Sequence, residues 1–310
     1  MKTTDSAIGI RHGFTLIELS IVLVIIGLIA GAIVVGQDLI SAAEIRATVA
    51  QIEKYNASVN TFRGKYGYIP GDIPDPIATQ FGFSKRGTNP GEGDGNGVLE
   101  GVYPNEAMCG GWCIGQGETA VFWHDLSDAK LVDGGFTAAS AYIPLAGNVN
   151  GPDVGLYFPT AKFGKGNYIF AWSGGYTPTQ GLRADGKNYF GLSAVTNIYA
   201  FNTPDSNTTI TPQQAYNMDA KVDDGLPQSG SVLALYLTTG TIKWAGADSR
   251  GWGPGSGSPI PLLPGQPSAA TQADDTTCYD NNNVANGQTR YSTSYANGSS
   301  QTCALSFRFQ

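Results

Sequence analysis

The sequence predicts an α+β fold: one long N-terminal helix packed on an antiparallel sheet, with long Gly-rich loops in the head. Three observations predict it. Residues 14 to 69 contain no proline and hold an apolar span followed by a one-sided apolar stripe. Four short apolar runs, bounded by turn residues, lie between residues 167 and 246. Only 14% of the 310 residues are charged and 42 are glycine, a balance that suits turns and short strands more than helices.

The helix comes first. From Phe14 to Val35, 22 residues are apolar except for a few Ser, Thr and Gly and one carboxylate, Glu18. At about 1.5 Å per residue they extend roughly 33 Å, enough for the ~30 Å hydrocarbon core of a bilayer. Lys2 and Arg11 precede the span, so the N-terminus stays cytoplasmic and the rest is exported. Next, Ile45, Val49, Ile52, Tyr55, Val59, Phe62 and Tyr66 recur at helical spacing, one apolar stripe on an otherwise polar helix. One helix from Phe14 to about Arg63 results, roughly 75 Å long. Its part to about residue 36 suits lipid all round, and residues 37–63 suit packing along one side. Two readings need nothing more: a plain membrane anchor, or a secretory signal peptide cut after Ala30-Gly31-Ala32. Glu18 speaks against both, because a charge at bilayer depth costs at least a few kcal/mol and is seldom idle.

The head follows from residue 64. "GKYGYIPGDIPDP" ends the helix with Gly, Pro and Asp, and a Gly-rich connection runs to about residue 117. "ETAVFWHDLSDAKLVDGG" carries Val121, Phe122, Leu126 and Ala129 at helical spacing and predicts a short helix stopped by a Gly pair. "NYIFAW" (167–172), "NYFGLSAV" (188–195), "SVLALYL" (231–237) and "TIKWAG" (241–246) predict strands, the last two joined at Thr238-Thr239-Gly240 as a hairpin. Thr211, Pro212 and Gln214 form a capping-box helix start, with Gly225 as the stop. Residues 251–277 are a Pro/Gly/Ser-rich loop.

"GFTLIELSIVLVIIGLIAG" (Gly13 to Gly31) resembles the N-terminal signature of type IV prepilins and type II secretion pseudopilins. The resemblance implies a pilin-like fold with residues 1–13 as leader, 14–63 as helix and 64–310 as exported head. It implies cleavage by a prepilin peptidase after Gly13, N-methylation of Phe14, and assembly through the helix. Glu18 would then compensate the Phe14 amine of a neighbouring subunit, since a carboxylate in apolar surroundings is tolerable when paired; pairing with its own terminus, four residues away, is the local alternative. Implied partners are the peptidase, other pilin-like subunits and the inner-membrane assembly machinery. The implied location is the inner membrane with the head periplasmic, then a surface filament or periplasmic pseudopilus. The chain departs from the family at Val35, where many pilins carry a kinking proline; Gly27, Gly31 and Gly36 can still supply flexibility.

Four cysteines, Cys109, Cys113, Cys278 and Cys303, on an exported chain read as two disulfides. A disulfide loop near the C-terminus, as Cys278 and Cys303 would close, is common in pilins; Cys109 and Cys113 flank Gly-Gly-Trp. A zinc site is the other use of four cysteines, but its spacing differs. In "GEGDGNGVLEG", Glu92, Asp94 and Asn96 alternate, with the Val98 carbonyl next, parallel to the first half of a Ca²⁺ loop. Glu replaces Asp at the first position and Tyr103 stands where a bidentate Glu belongs, with Glu100 or Glu106 as substitutes; a plain Gly-rich turn is the competing reading, with no cofactor at all. Major pseudopilins use Ca²⁺ to order a loop, which the resemblance adds to the first reading; the plain turn is still the favoured one. Asp219, Asp223 and Asp224 form a second acidic group, read as solvation of a helix end rather than ligation.

No nucleophile elbow, P-loop or zinc-helix motif occurs, and His124 is the one histidine left once the leader is gone, so a structural protein is expected and not an enzyme. Net charge is −7 without a Lys/Arg cluster, which excludes the electrostatic footprint of a nucleic-acid binder. The alternative from another class is a secreted or membrane-anchored adhesion module that binds through its head loops.

Overall fold

The computed structural model describes residues 15–102, 108–110, 113–136, 138–139, 149–174, 186–198, 204–236, 272–275, 277–284 and 287–309. The chain divides into two compact units, Met1–Ala43 and Glu44–Gln310. A single helix, α1 (Leu16–Tyr66), contributes to both.

In the first unit α1 leaves its large apolar side chains exposed, from Leu16 and Ile17 through Ile33 to Leu39 and Ile40. The helix is long and apolar enough to cross a membrane, and it continues without a break through Val35 and Gly36.

In the second unit the same helix is one-sided. Ile45, Val49, Ile52, Tyr55, Val59 and Phe62 are buried, the stripe that the 3.6-residue period predicts. Gly67 ends the helix: its φ is +81°, and its N–H donates to the Arg63 carbonyl at 2.8 Å. Glycine takes this left-handed conformation without a Cβ penalty.

The remaining elements, in chain order, are α2 (Ile77–Gln80), β1 (Gly101–Val102), β2 (Met108–Gly110), α3 (Glu118–Asp128), β3 (Val149–Asn150), β4 (Tyr168–Ser173), β5 (Asn188–Ile198), β6 (Asp205–Asn207), α4 (Pro212–Val222), β7 (Val232–Tyr236), β8 (Tyr279–Asp280), β9 (Arg290–Tyr291) and β10 (Cys303–Arg308). The main sheet is antiparallel and centred on β5. Its first half lies between β4 and β10, its second half pairs with β3 and β6, and β7 lies beyond β10. Two-stranded ribbons, β1–β2 and β8–β9, stand apart.

Register explains the core. Ala171, Phe190 and Phe307 are directly paired across three strands, as are Ile169, Leu192 and Leu305, so they share one face. That face meets α1 and α3. Phe190 lies 6.3 Å from Tyr55, 5.9 Å from Trp123 and 4.3 Å from Phe309, centroid to centroid. On the alternate face Phe170 sits opposite Gly191, where a Cβ would come 2.2 Å from its ring; only glycine fits beneath that phenyl.

Both expected head helices form. Thr211 Oγ1 accepts from Gln214 N at 3.2 Å and Gln214 Oε1 accepts from Thr211 N at 3.1 Å, the reciprocal capping box. α3 stops earlier than the expected Gly pair, at Asp128. The Leu131 N–H reaches back to the Leu126 carbonyl and the Lys130 N–H to that of Ser127, both at 3.0 Å, with Lys130 at φ +59°. This closes a Schellman motif with lysine where glycine is usual. β10 is absent from the expected strands, yet it is the partner that β7 finds among the described residues. The expected hairpin at 238–240 and strand at 241–246 lie outside the described residues.

Candidate functional site

At the N-terminal segment the described chain begins at Thr15, so Gly13 and Phe14 lie outside it. Glu18 is exposed and folds back on the start of its own helix. Its Oε2 accepts from Thr15 N and from Thr15 Oγ1, both at 2.8 Å, and Thr15 Oγ1 accepts from Glu18 N at 3.3 Å. The pair is a capping box that satisfies amide donors left open at a helix start. Both contacts to the carboxylate fall on one oxygen.

The head holds a second site, built from three separated segments. Asp72 sits in the turn after α1, Asp94 on the Gly-rich loop and Glu118 at the first position of α3. One carboxylate oxygen from each lies within 4.8 Å of the others. The loop reaches them because glycine alternates along it: Gly91, Gly93, Gly95 and Gly97 all have positive φ, which turns successive N–H groups inward. Gly93 N donates to Glu118 Oε1 at 2.9 Å, Glu100 N to Glu118 Oε2 at 2.9 Å, and Gly95 N and Gly97 N to the two oxygens of Asp72 at 2.7 Å each. At Gly93 a Cβ would lie 2.6 Å from the Ile73 carbonyl oxygen, so the close approach requires glycine.

Burial dominates the electrostatics. Asp72 is 1% exposed and Glu118 0%. Burial pushes the Asp72 carboxyl up to about 7, with Asp94 adding to the rise, against the loop amides that hold it down. Glu118 is pushed well above its ordinary value by burial and then by Asp72 and Asp94. Burial, reinforced by Asp94, also raises Glu100 to about 7.

Among the residues expected from sequence, Asp94 is therefore in the cluster, while Glu92 and Asn96 have other work. Glu92 Oε2 accepts from Asn89 N at 3.0 Å and from Asn89 Nδ2 at 3.1 Å, inside its own turn. Asn96 Oδ1 accepts from Val98 N at 2.7 Å, and its Nδ2 donates to Asp94 Oδ2 at 3.0 Å and Glu100 Oε2 at 3.2 Å. Sequence reading misses Asp72 and Glu118. Their signals were a proline–glycine–aspartate turn and a glutamate opening a helix, both ordinary in themselves.

The second acidic group is spoken for. Asp219 accepts from Gly225 N and from the Tyr291 hydroxyl, Asp223 from Ser231 N, and Asp224 from Leu226 N and the Ser229 hydroxyl. These bonds close the end of α4, but Asp219, which a solvated helix end would expose, is buried, and one carboxylate oxygen from each of the three lies within 4.8 Å of the others. His124 has a partner at each ring nitrogen: Nδ1 is 3.0 Å from the Ala139 carbonyl and Nε2 is 3.3 Å from Asp128.

Cys278 and Cys303 are disulfide-bonded with Cα atoms 5.0 Å apart. Cys113 is disulfide-bonded, and the Cys109 side chain lies outside the described residues. The Cys278–Cys303 bridge closes 25 positions of chain and fixes β10 to the strand pair β8–β9. Replacing both cysteines by alanine should lower the unfolding free energy by about 3 kcal/mol, the loop-closure entropy returned to the unfolded chain. Urea unfolding of the detergent-solubilised protein, with and without the substitutions, measures it.

The chain matches the prokaryotic N-terminal methylation motif over residues 10–34, the prepilin-type signature. No curated protein and no solved structure matches it. That motif lies on a long helix with an antiparallel sheet packed on the helix's second half, an α+β architecture consistent with a pilin-like fold, and the motif supports a type IV pilin- or pseudopilin-like protein. The family defined by the signature is structural rather than enzymatic.

Proposed function

We propose that the chain is the precursor of a structural subunit of a type IV pilus-like filament or type II secretion pseudopilus. Prepilin peptidase cuts after Gly13 and methylates the new amine of Phe14. The helix then holds the subunit in the inner membrane, with the head periplasmic, until it joins other subunits. The observation that carries this is the methylation motif on a helix whose large apolar side chains from Leu16 to Ile40 are all exposed. Such a surface needs lipid or other helices around it, and a filament of packed copies supplies the second when the first is left behind.

Glu18 fits the transfer. Its Oε2 is engaged by Thr15, and its Oε1 has no hydrogen-bond partner among the described residues. That oxygen can receive the Phe14 ammonium of a neighbour without breaking the helix cap. Pairing offsets the cost of both charges in an apolar environment and sets the axial register between subunits.

The test is the intact mass and N-terminal sequence of the protein extracted from its native membrane. A chain that begins at Phe14 and is one methyl group heavier than its sequence supports the proposal. A chain that begins after Ala32 means a secretory signal peptide and would sink it, because Glu18 would then be absent from the mature molecule.

A further inference from the structure

We propose that the buried contact between Asp219 and Tyr291 is a proton-controlled latch: the loop closed by Cys278–Cys303 stays seated on α4 while Asp219 holds a proton, and loosens when Asp219 ionises. The contact joins parts of the chain 72 positions apart. Asp219 is on the last turn of α4, and Tyr291 is in β9, inside the disulfide-closed loop. Asp219 is 0% exposed and Tyr291 3%. The Tyr291 hydroxyl donates to Asp219 Oδ2 at 2.7 Å, and Gly225 N donates to Oδ1 at 3.0 Å. Beside this bond the Tyr216 ring stands edge-on to that of Tyr291, with centroids 6.3 Å apart.

The surroundings of Asp219 make its charge costly. Asp223 and Asp224, on the turn between α4 and β7, each place a carboxylate oxygen within 4.8 Å of one on Asp219 and of each other. Like charges held that close in a buried site disfavour full ionisation. Among the described residues no salt bridge reaches any of the three. Lys221, on the same helix, is exposed and pairs with none of them. Arg290, next to Tyr291, is engaged elsewhere, 3.5 Å from Asp280 Oδ1 and 2.9 Å from Asn282 Oδ1. Tyr279, from β8, bears on Tyr291 rather than on Asp219.

These neighbours decide which group switches. Burial pushes the Asp219 carboxyl up to about 7, with Asp224 and Asp223 adding to the rise, against the Tyr291 and Gly225 hydrogen bonds that hold it down. Burial, and then Asp219, pushes the Tyr291 hydroxyl well above its ordinary value. Tyr291 therefore stays a donor, and Asp219 is the group that titrates. Once the loop lifts and water reaches Asp219, its carboxyl returns toward the ordinary 3.8. The seated form thus binds a proton that the open form releases. Raising the pH from about 4 to about 7 favours opening, and above about 7 the effect is complete. The Cys278–Cys303 bridge keeps the two ends of the loop together, so the opening is local. The latch lies within one chain and is independent of filament assembly.

The experiment is hydrogen–deuterium exchange on the full-length protein in detergent with a chelator present, from about pH 5.5 to about pH 8.5. After correction for the intrinsic pH dependence of exchange, protection of the amides in β8 and β9 should fall at least about tenfold, the factor that one pK unit of linked proton binding supplies. Asp219→Asn keeps an oxygen for Tyr291 and carries no charge, so the loop should stay protected at every pH. Asp224→Asn, at an exposed position, removes one neighbouring charge and leaves the buried pair intact. It should make the fall smaller and complete at lower pH. Protection that does not change with pH in the parent protein would overturn the proposal. So would a fall of the parent's size in Asp219→Asn, or an Asp224→Asn profile identical to the parent's.

Discussion

An Arg86→Met variant should lose about 3–5 kcal/mol of unfolding free energy, because it strips the partner from a buried carboxylate. Arg86 and Asp125 both have 0% side-chain exposure. Asp125 also accepts from Gly71 N at 2.6 Å, so the pair ties the turn after α1 to α3 beside the acidic cluster. Burial raises the Asp125 carboxyl and the Arg86 guanidinium opposes the rise; without the guanidinium only the penalty remains. Pairing Arg86→Met with Asp125→Asn should recover most of the loss. The amide oxygen still accepts from Gly71, and no charge is left behind. Denaturant unfolding of both variants checks this. A double variant as unstable as the single one would mean that the ion pair's geometry matters more than its uncompensated charge.

A Trp123→Ala variant should cost a similar 3–5 kcal/mol, by a different route. Trp123 is fully buried, with ring centroids 4.8 Å from Tyr55, 5.1 Å from Phe122 and 5.9 Å from Phe190. It thus touches the stripe of α1, its own helix and the central strand together. Its indole N–H has no partner among the described residues, so truncation loses apolar contact and leaves a cavity without orphaning a polar group there. Trp123→Phe should retain most of the stability. A loss of under about 1 kcal/mol for the alanine variant, read from the same unfolding curves, would show that the core closes over the gap.

The two effects differ in how visible they were beforehand. Trp123 lies in an apolar run whose spacing already marks a helix face. Arg86 and Asp125 are 39 positions apart, and nothing in either neighbourhood marks a buried pair. The same contrast holds for the candidate sites. The N-terminal one is contiguous, so the resemblance and the Thr15–Glu18 cap can both be read from adjacent residues. The acidic one draws Asp72, Asp94 and Glu118 from three segments, and a linear motif found only the middle of it. Glu92 stood at the first position of that motif and instead accepts from Asn89 within its own turn.

By itself the sequence determined what depends on near neighbours: the long helix, its lipid-like and one-sided parts, the capping box at Thr211, and three of the strands that form the sheet. Helical period, cap chemistry and β-strand composition act over a few residues and leave local traces. The tertiary structure alone decided the rest. It placed β10 between β5 and β7, ended α3 at Asp128 with Lys130 closing the turn instead of the later glycines, and brought Asp72, Asp94 and Glu118 together. Those outcomes depend on which distant surfaces meet. Pairing energy, core packing and the desolvation of charge exist only after the chain has brought them together.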